Sequence, residues 1–114
     1  MISDIDANKK VTKFFSSLSD ETRLNIILAL SEKPRTVTDI HKYVGKDKLT
    51  LSAISHQLKQ LSDLNIINYK KEGKEKTFEL SDKVCWCILR DTFDQFNKKL
   101  NINCRKCKTM HKHR

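Results

Sequence analysis

The stretch Ser52-Ala53-Ile54-Ser55-His56-Gln57-Leu58-Lys59-Gln60-Leu61-Ser62-Asp63-Leu64 decides how this chain is read. Ile54, Leu58 and Leu61 recur at i, i+4 and i+7, the spacing of one helical face, while Ser55, His56, Lys59 and Gln60 point elsewhere. The result is an amphipathic helix whose open side is crowded with hydrogen-bonding groups. A polar connection, Lys46–Leu51, precedes it. Before that, Thr36-Val37-Thr38-Asp39 has the form of a capping box with Asp in place of Glu, opening a short helix that turns Val37, Ile40 and Val44 inward and stops at Gly45.

After Asn65 the period changes from helical to two. Ile67 and Tyr69, then Phe78 and Leu80, alternate with polar residues around Lys71-Glu72-Gly73-Lys74, which predicts a two-stranded hairpin. Further out, residues 6–17 carry Val11, Phe14 and Phe15, and Leu18 continues the same helical spacing. Ser19-Asp20-Glu21-Thr22 then reads as a helix start with Ser19 as the cap, and that helix ends near Glu32, ahead of Pro34. Asp82–Leu100 is predicted as a last helix with Cys85, Leu89, Phe93, Phe96 and Leu100 on its apolar side. The expectation is a mainly α chain with a small β-hairpin: five helices plus a two-stranded wing, forming a winged helix-turn-helix in residues 1–100, with a basic tail over 101–114. In such a fold the second helix of the pair enters the major groove and the hairpin flanks it.

Composition is consistent with this. The 114 residues include 2 glycines and 1 proline, which favours helix. No apolar run is long enough to cross a membrane and the start, Met1-Ile2-Ser3-Asp4, lacks the form of a signal peptide, so a cytoplasmic protein without a membrane partner is expected. The net charge of +9 is unevenly distributed. Lys98, Lys99, Arg105, Lys106, Lys108, Lys112 and Arg114 face no acid in the same stretch, so most of the basicity belongs to the tail. Within the body, Lys42, Lys46, Lys48, Lys59, Lys70, Lys71, Lys74 and Lys76 stand against Asp47, Asp63, Glu72 and Glu75, a local positive charge that suits either a polyanion or a plain solvated surface. Neither a glycine-rich phosphate loop nor a nucleophile with a base in motif context is present, and the chain is too short for a deep cleft, so an enzyme is not expected.

Three segments together, Leu18-Ser19-Asp20-Glu21-Thr22-Arg23-Leu24, the Ser52–Lys59 helix, and Lys71-Glu72-Gly73-Lys74 ahead of Phe78-Glu79-Leu80, resemble the arsenic-repressor (ArsR/SmtB) family over about residues 11–97. The resemblance implies a homodimeric repressor that binds a palindromic double-stranded DNA operator, dimerises through its first and last helices, and leaves DNA when a metal ion or oxidant binds. Ser52, Ser55, His56, Gln57 and Gln60 would then face bases or nearby phosphates, with Gln57 suited to adenine, and Lys59, Lys70, Lys71, Lys74 and Lys76 would neutralise phosphates. Val11, Phe14, Phe15, Phe93, Phe96 and Leu100 would meet across the two-fold axis, with Trp86 packed in that interface. A winged-helix module for protein or RNA, or a DNA-binding regulator with no small effector, is the alternative.

The effector does not follow from the resemblance. Where the family carries a thiolate motif, this chain has Asp39-Ile40-His41-Lys42-Tyr43-Val44, without Cys. Where it carries a second ligand set on the last helix, the residues are Asp82, Val84, Gln95 and Lys98, of which only Asp82 is a ligand type. His41 is expected on a solvated helix face. Cys85 and Cys87 lie about 200° apart on one helix, placing Cys85 inward and Cys87 outward as an exposed thiol. Cys104 and Cys107, with His111 and His113, offer two thiolates and two imidazoles to Zn or another thiophilic ion, or a dithiol to an oxidant. A basic arm with incidental Cys and His is the other reading of the same residues. No cofactor is required.

Overall fold

A computed structural model of the chain describes residues 2–102. Its elements, in order, are α1 (Ile2–Leu18), α2 (Glu21–Glu32), β1 (Arg35–Thr36), α3 (Val37–Val44), α4 (Leu51–Asp63), β2 (Ile67–Glu72), β3 (Glu75–Leu80) and α5 (Cys87–Gln95). Five helices and a small antiparallel sheet make a winged helix-turn-helix.

Local chemistry sets most of the boundaries. Asp20, rather than Ser19, caps α2 by accepting from the Arg23 N–H at 3.0 Å. Thr36 caps α3 through the Asp39 N–H at 3.2 Å, and Thr50 caps α4 through the Ala53 N–H at 3.1 Å. Gly45 ends α3 at φ 116°, where an added Cβ would press on Asp47 Oδ1 at 3.3 Å. Helix α4 closes with Asn65 at φ 61°: the Ile66 N–H reaches back to Leu61 O and the Asn65 N–H to Ser62 O, and Leu61 and Ile66 both enter the core. This is a Schellman ending with Asn in the left-handed position.

The hairpin turns over two residues, Gly73 and Lys74, with Gly73 at φ 65°. Its register pairs Tyr69 with Phe78, Lys70 with Thr77, Lys71 with Lys76 and Glu72 with Glu75. The sheet has a third strand that the sequence reading lacked. Arg35 and Thr36 pair with Phe78 and Thr77, giving the order β1-β3-β2. The core lies between α2, α3, α4 and the sheet, where Ile26, Ile27, Ile40, Ile54, Leu58 and Leu61 are fully buried.

The last helix is shorter than expected. Asn97 at φ 66° ends it, with the Lys98 N–H bonded to Phe93 O and the Asn97 N–H to Asp94 O, after which Leu100 and Ile102 fold back against the core. Residues 82–86 are not part of it: the Ser81 hydroxyl accepts from the Lys83 N–H, and Trp86 donates its indole N–H to Ser81 O at 2.8 Å. Trp86 is 4% exposed and its ring lies 6.3 Å from that of Phe14. The assignment of Trp86 to a dimer interface is therefore corrected, because the indole needed a buried acceptor and found it in its own chain. Phe14, Phe93 and Leu100 likewise pack against this chain's own core, while Val11, Phe15 and Phe96 remain open to solvent.

Candidate nucleic-acid interface

Helix α4 buries Ile54, Leu58 and Leu61 and leaves Ser52, Ser55, His56 and Lys59 exposed. Lys59 forms a helix-face ion pair with Asp63 at 3.3 Å, a contact that contributes little in water. Gln57 and Gln60 are placed differently from the expectation that both face bases. They are half-buried and turned toward α2, where Arg23 donates from Nε to Gln57 Oε1 at 2.6 Å and from Nη2 to Gln60 Oε1 at 2.8 Å. Gln60 Nε2 lies 3.3 Å from His56 Nε2. Sequence reasoning passed over Arg23 as a site residue, although it lies in the quoted Leu18–Leu24 stretch; only the fold brings it to α4.

His41 is not solvated. It is half-buried, and its Nε2 lies 2.6 Å from Leu49 O, tying α3 to the connection that leads into α4. The acceptor is a carbonyl, so that nitrogen carries the proton. Thr50 then caps α4 directly after this anchored loop. The helix-turn-helix is thus fastened at α2, at the connection and at both ends of α4.

The wing has two unlike faces, because side chains alternate along each strand. Ile67, Tyr69 and Lys71 share one face with Lys76, Phe78 and Leu80. The outer part of that face is basic and aromatic: Lys76 Nζ sits 4.5 Å from the Tyr69 ring centroid, and the Tyr69 and Phe78 rings are 5.5 Å apart. Lys71 and Lys76 stand directly opposite each other, a like-charge pair that an anion would relieve. The other face carries Asn68, Lys70 and Glu72 with Glu75, Thr77 and Glu79, so acids outnumber bases there. Lys70, expected beside Lys71 on phosphate, lies on this acidic face and lines a cleft with Glu79 and Asp82. A groove of about 350 Å³ runs between α4 and the basic face, lined by Ser55, Lys59, Ser62, Tyr69 and Lys76 among others. Ser62 Oγ is buried there with no hydrogen-bond partner among the described residues.

No group of three His, Cys, Asp or Glu side chains among the described residues is gathered closely enough to hold a metal ion. At α3 the residues do not fit one: Cys is absent and His41 is engaged with Leu49 O. Cys87, expected as an exposed thiol, is 8% exposed and disulfide-bonded. The helix begins at Cys87 rather than at Asp82, and Cys87 and Leu89 are both buried while Ile88 is exposed. Cys104, Cys107, His111 and His113 lie outside the described residues. No helix among the described residues is long and apolar enough to cross a membrane.

Residues 20–69, which run from the α2 cap into the wing, match the family of bacterial regulatory proteins described as the arsR family. Among curated relatives, a transcriptional repressor SmtB homolog of Synechocystis sp. is 27% identical over 97 residues, covering 85% of this chain and 71% of the relative. A cadmium resistance transcriptional regulatory protein CadC homolog of Staphylococcus aureus is 38% identical over 74 residues, 64% of this chain; the chain spans 59% of that relative's length. Among solved structures, a homodimeric winged helix-turn-helix DNA-binding domain from Mycobacterium bovis, described as a possible ArsR-family regulator, superposes with a TM-score of 0.71 at 19% identity, covering 82% of this chain and 86% of that one. With α4 fastened to α2, a basic wing face beside it and these relatives, residues 20–69 of the chain match the arsR family of bacterial regulatory proteins, and the chain is similar over most of its length to transcriptional regulators.

Proposed function

We propose that the chain acts in the cytoplasm as a homodimeric repressor on a palindromic operator, with α4 in the major groove and the wing on the adjoining backbone. The observation that carries this reading is the exposed polar side of α4 facing a groove whose opposite wall is the basic side of the wing. Ser52, Ser55 and His56 are exposed toward base edges, and Gln57 keeps its Nε2 amide unbonded among the described residues. Lys59, Lys71, Lys74 and Lys76 neutralise phosphates, and the acidic far side of the wing confines the backbone to the α4 side. Dimerisation is supported by Val11, Phe15, Ile88 and Phe96, all more than half exposed on α1 and α5 or at the α5 end. A second copy would cover them.

The test is a DNA-shift titration over a range of salt. Lys71→Ala and Lys76→Ala should each weaken binding to every sequence and lower the salt slope by about 1, while Lys70→Ala leaves the slope unchanged. Affinity for duplex DNA that does not respond to salt, or equal effects of all three substitutions, would overturn the assignment.

Release by a thiophilic ion or an oxidant is assigned to Cys104 and Cys107, with His111 and His113 as further ligands. The support is the chemistry of these side chains: soft ions prefer thiolates, and the cations beside Cys104 and Cys107 favour the thiolate form. Wild type and the Cys104→Ser/Cys107→Ser protein are compared on operator DNA with zinc, arsenite, Cu(I) or peroxide. Identical responses to all four would remove these residues from the switch.

A further inference from the structure

Arg23 determines which half of each glutamine amide is left for DNA. A guanidinium has donors and no acceptor, so the amides of Gln57 and Gln60 must both turn Oε1 toward it, at 2.6 and 2.8 Å. Gln60 then presents Nε2 to His56 Nε2 at 3.3 Å. An amide nitrogen donates, so this ring nitrogen accepts and the imidazole carries its proton on Nδ1. Both ends of Gln60 are engaged within the helix pair. What the hydrogen bonds among the described residues leave unused is the Gln57 Nε2 amide, the His56 Nδ1–H and the hydroxyls of Ser52 and Ser55, which serve either way.

This matters because glutamine reads adenine with both ends of its amide, the oxygen on the N6 amino group and the nitrogen on N7. In Gln57 the oxygen is held by Arg23. Guanine offers two acceptors in the major groove, N7 and O6, and thymine offers O4, whereas cytosine offers the N4 donor.

We propose that Arg23 is a positioning residue for specificity: by holding the amide oxygens of Gln57 and Gln60, it makes the Gln57–His56 part of α4 a donor surface that selects guanine, whose N7 and O6 both accept, over adenine, whose N7 acceptor stands beside an N6 donor, and over cytosine. The inference rests on the proposed placement of α4 in the major groove. It adds that the readout at this position is set from α2, through an arginine that itself need not touch a base.

The experiment is selection of bound duplexes from a random double-stranded DNA pool with the full chain, in wild type, Gln57→Glu and Arg23→Met. Gln57→Glu keeps an acceptor for Arg23, so the helix pair is retained, yet it removes the amide donor. Wild type should enrich guanine over adenine and cytosine by about tenfold at one position per half-site, and Gln57→Glu should move that same position to cytosine, whose amino group a carboxylate accepts. Arg23→Met frees the Gln57 amide to rotate and should raise adenine there; a protein that merely lost packing would lower affinity without changing the preferred base. If Arg23→Met does not fold by circular dichroism, the Gln57→Glu comparison decides alone. Adenine enriched by wild type at the Gln57-dependent position, or identical preferences in wild type and Gln57→Glu, overturns the inference while leaving DNA binding intact. A pool in which wild type enriches no sequence overturns the proposed function and this inference with it.

Discussion

Helices α3 and α4 are fastened at both ends, whereas α1 and α5 leave large apolar side chains in water. Thr36 and Thr50 cap the starts of the first pair, Gly45 and Asn65 close their ends, and Arg23 and His41 bond them to neighbouring segments. In the second pair, α5 has no side-chain cap at Trp86, and Phe15 and Phe96 are 51% and 76% exposed. The α3–α4 half meets its hydrogen-bonding needs within one chain except at Ser62 Oγ, which is buried with no partner among the described residues. The α1–α5 half buries one side, through Phe14, Trp86 and Leu89, and offers the other to a further apolar surface.

If that contrast is real, breaking the open half should separate association from folding. Phe15→Asp combined with Phe96→Asp should leave circular dichroism unchanged, give a monomer in sedimentation, and reduce operator affinity about a hundredfold or more by removing the linked second half-site. A dimer that survives both charges would erase the distinction between the halves. Trp86→Ala addresses the buried side of the same region. It removes a core indole and its bond to Ser81 O, and should cost about 3–5 kcal/mol in denaturant unfolding. Unchanged stability with weakened association would return Trp86 to the interface.

The fastened half responds more gently. Thr50→Ala should lower stability by about 1 kcal/mol, since it removes the acceptor for the Ala53 N–H at the start of α4. No shift of the unfolding midpoint would mean that the cap adds nothing beyond solvent. The smallest effect is expected at Tyr43, which donates to Glu32 Oε2 at 3.2 Å under the Arg35 guanidinium. Burial, then the Glu32 charge and hydrogen bond, raise its phenol above the ordinary 10.0, with Arg35 opposing. A raised folded-state value means that the contribution is complete below pH 10 and is lost as pH rises through the higher folded value. The gap in stability between wild type and Tyr43→Phe should therefore narrow from pH 9 to pH 11; a constant gap would show that the phenol is not held neutral by the fold.

Much of the fastened half was legible because its signals are local. The Thr36 cap, the Gly45 stop and the 54–58–61 spacing each act within a turn or two of helix, and the hairpin follows from alternation around Gly73. Strand β1 was not legible: two residues carry no period, and Arg35–Thr36 become a strand only by pairing with Phe78 and Thr77. The limits of α5 were misread because apolar spacing continued across residues that do not belong to the helix. Ser81 draws the Trp86 indole inward, and Asn97 leaves the helical conformation. Asn97 is a signal that could have been used, since Asn is a favoured non-glycine residue at that terminating position.

The sequence by itself determined that a polar-sided helix lies beside a basic hairpin, because a helix period of 3.6 and a strand period of 2 assign faces without knowledge of any neighbour. It also determined that the thiolate motif of the arsenic-repressor family is missing from α3. Tertiary structure alone decided which of those polar groups remain free. Lys70 and Lys71 are adjacent in sequence yet occupy opposite faces of the wing, and the strand pairing puts one among acids and the other opposite Lys76. Arg23, 34 residues before Gln57, takes the amide oxygen that the sequence had left available for a base. A hydrogen-bonding group can be counted from sequence, but whether it is already engaged depends on what the fold brings within about 3 Å of it.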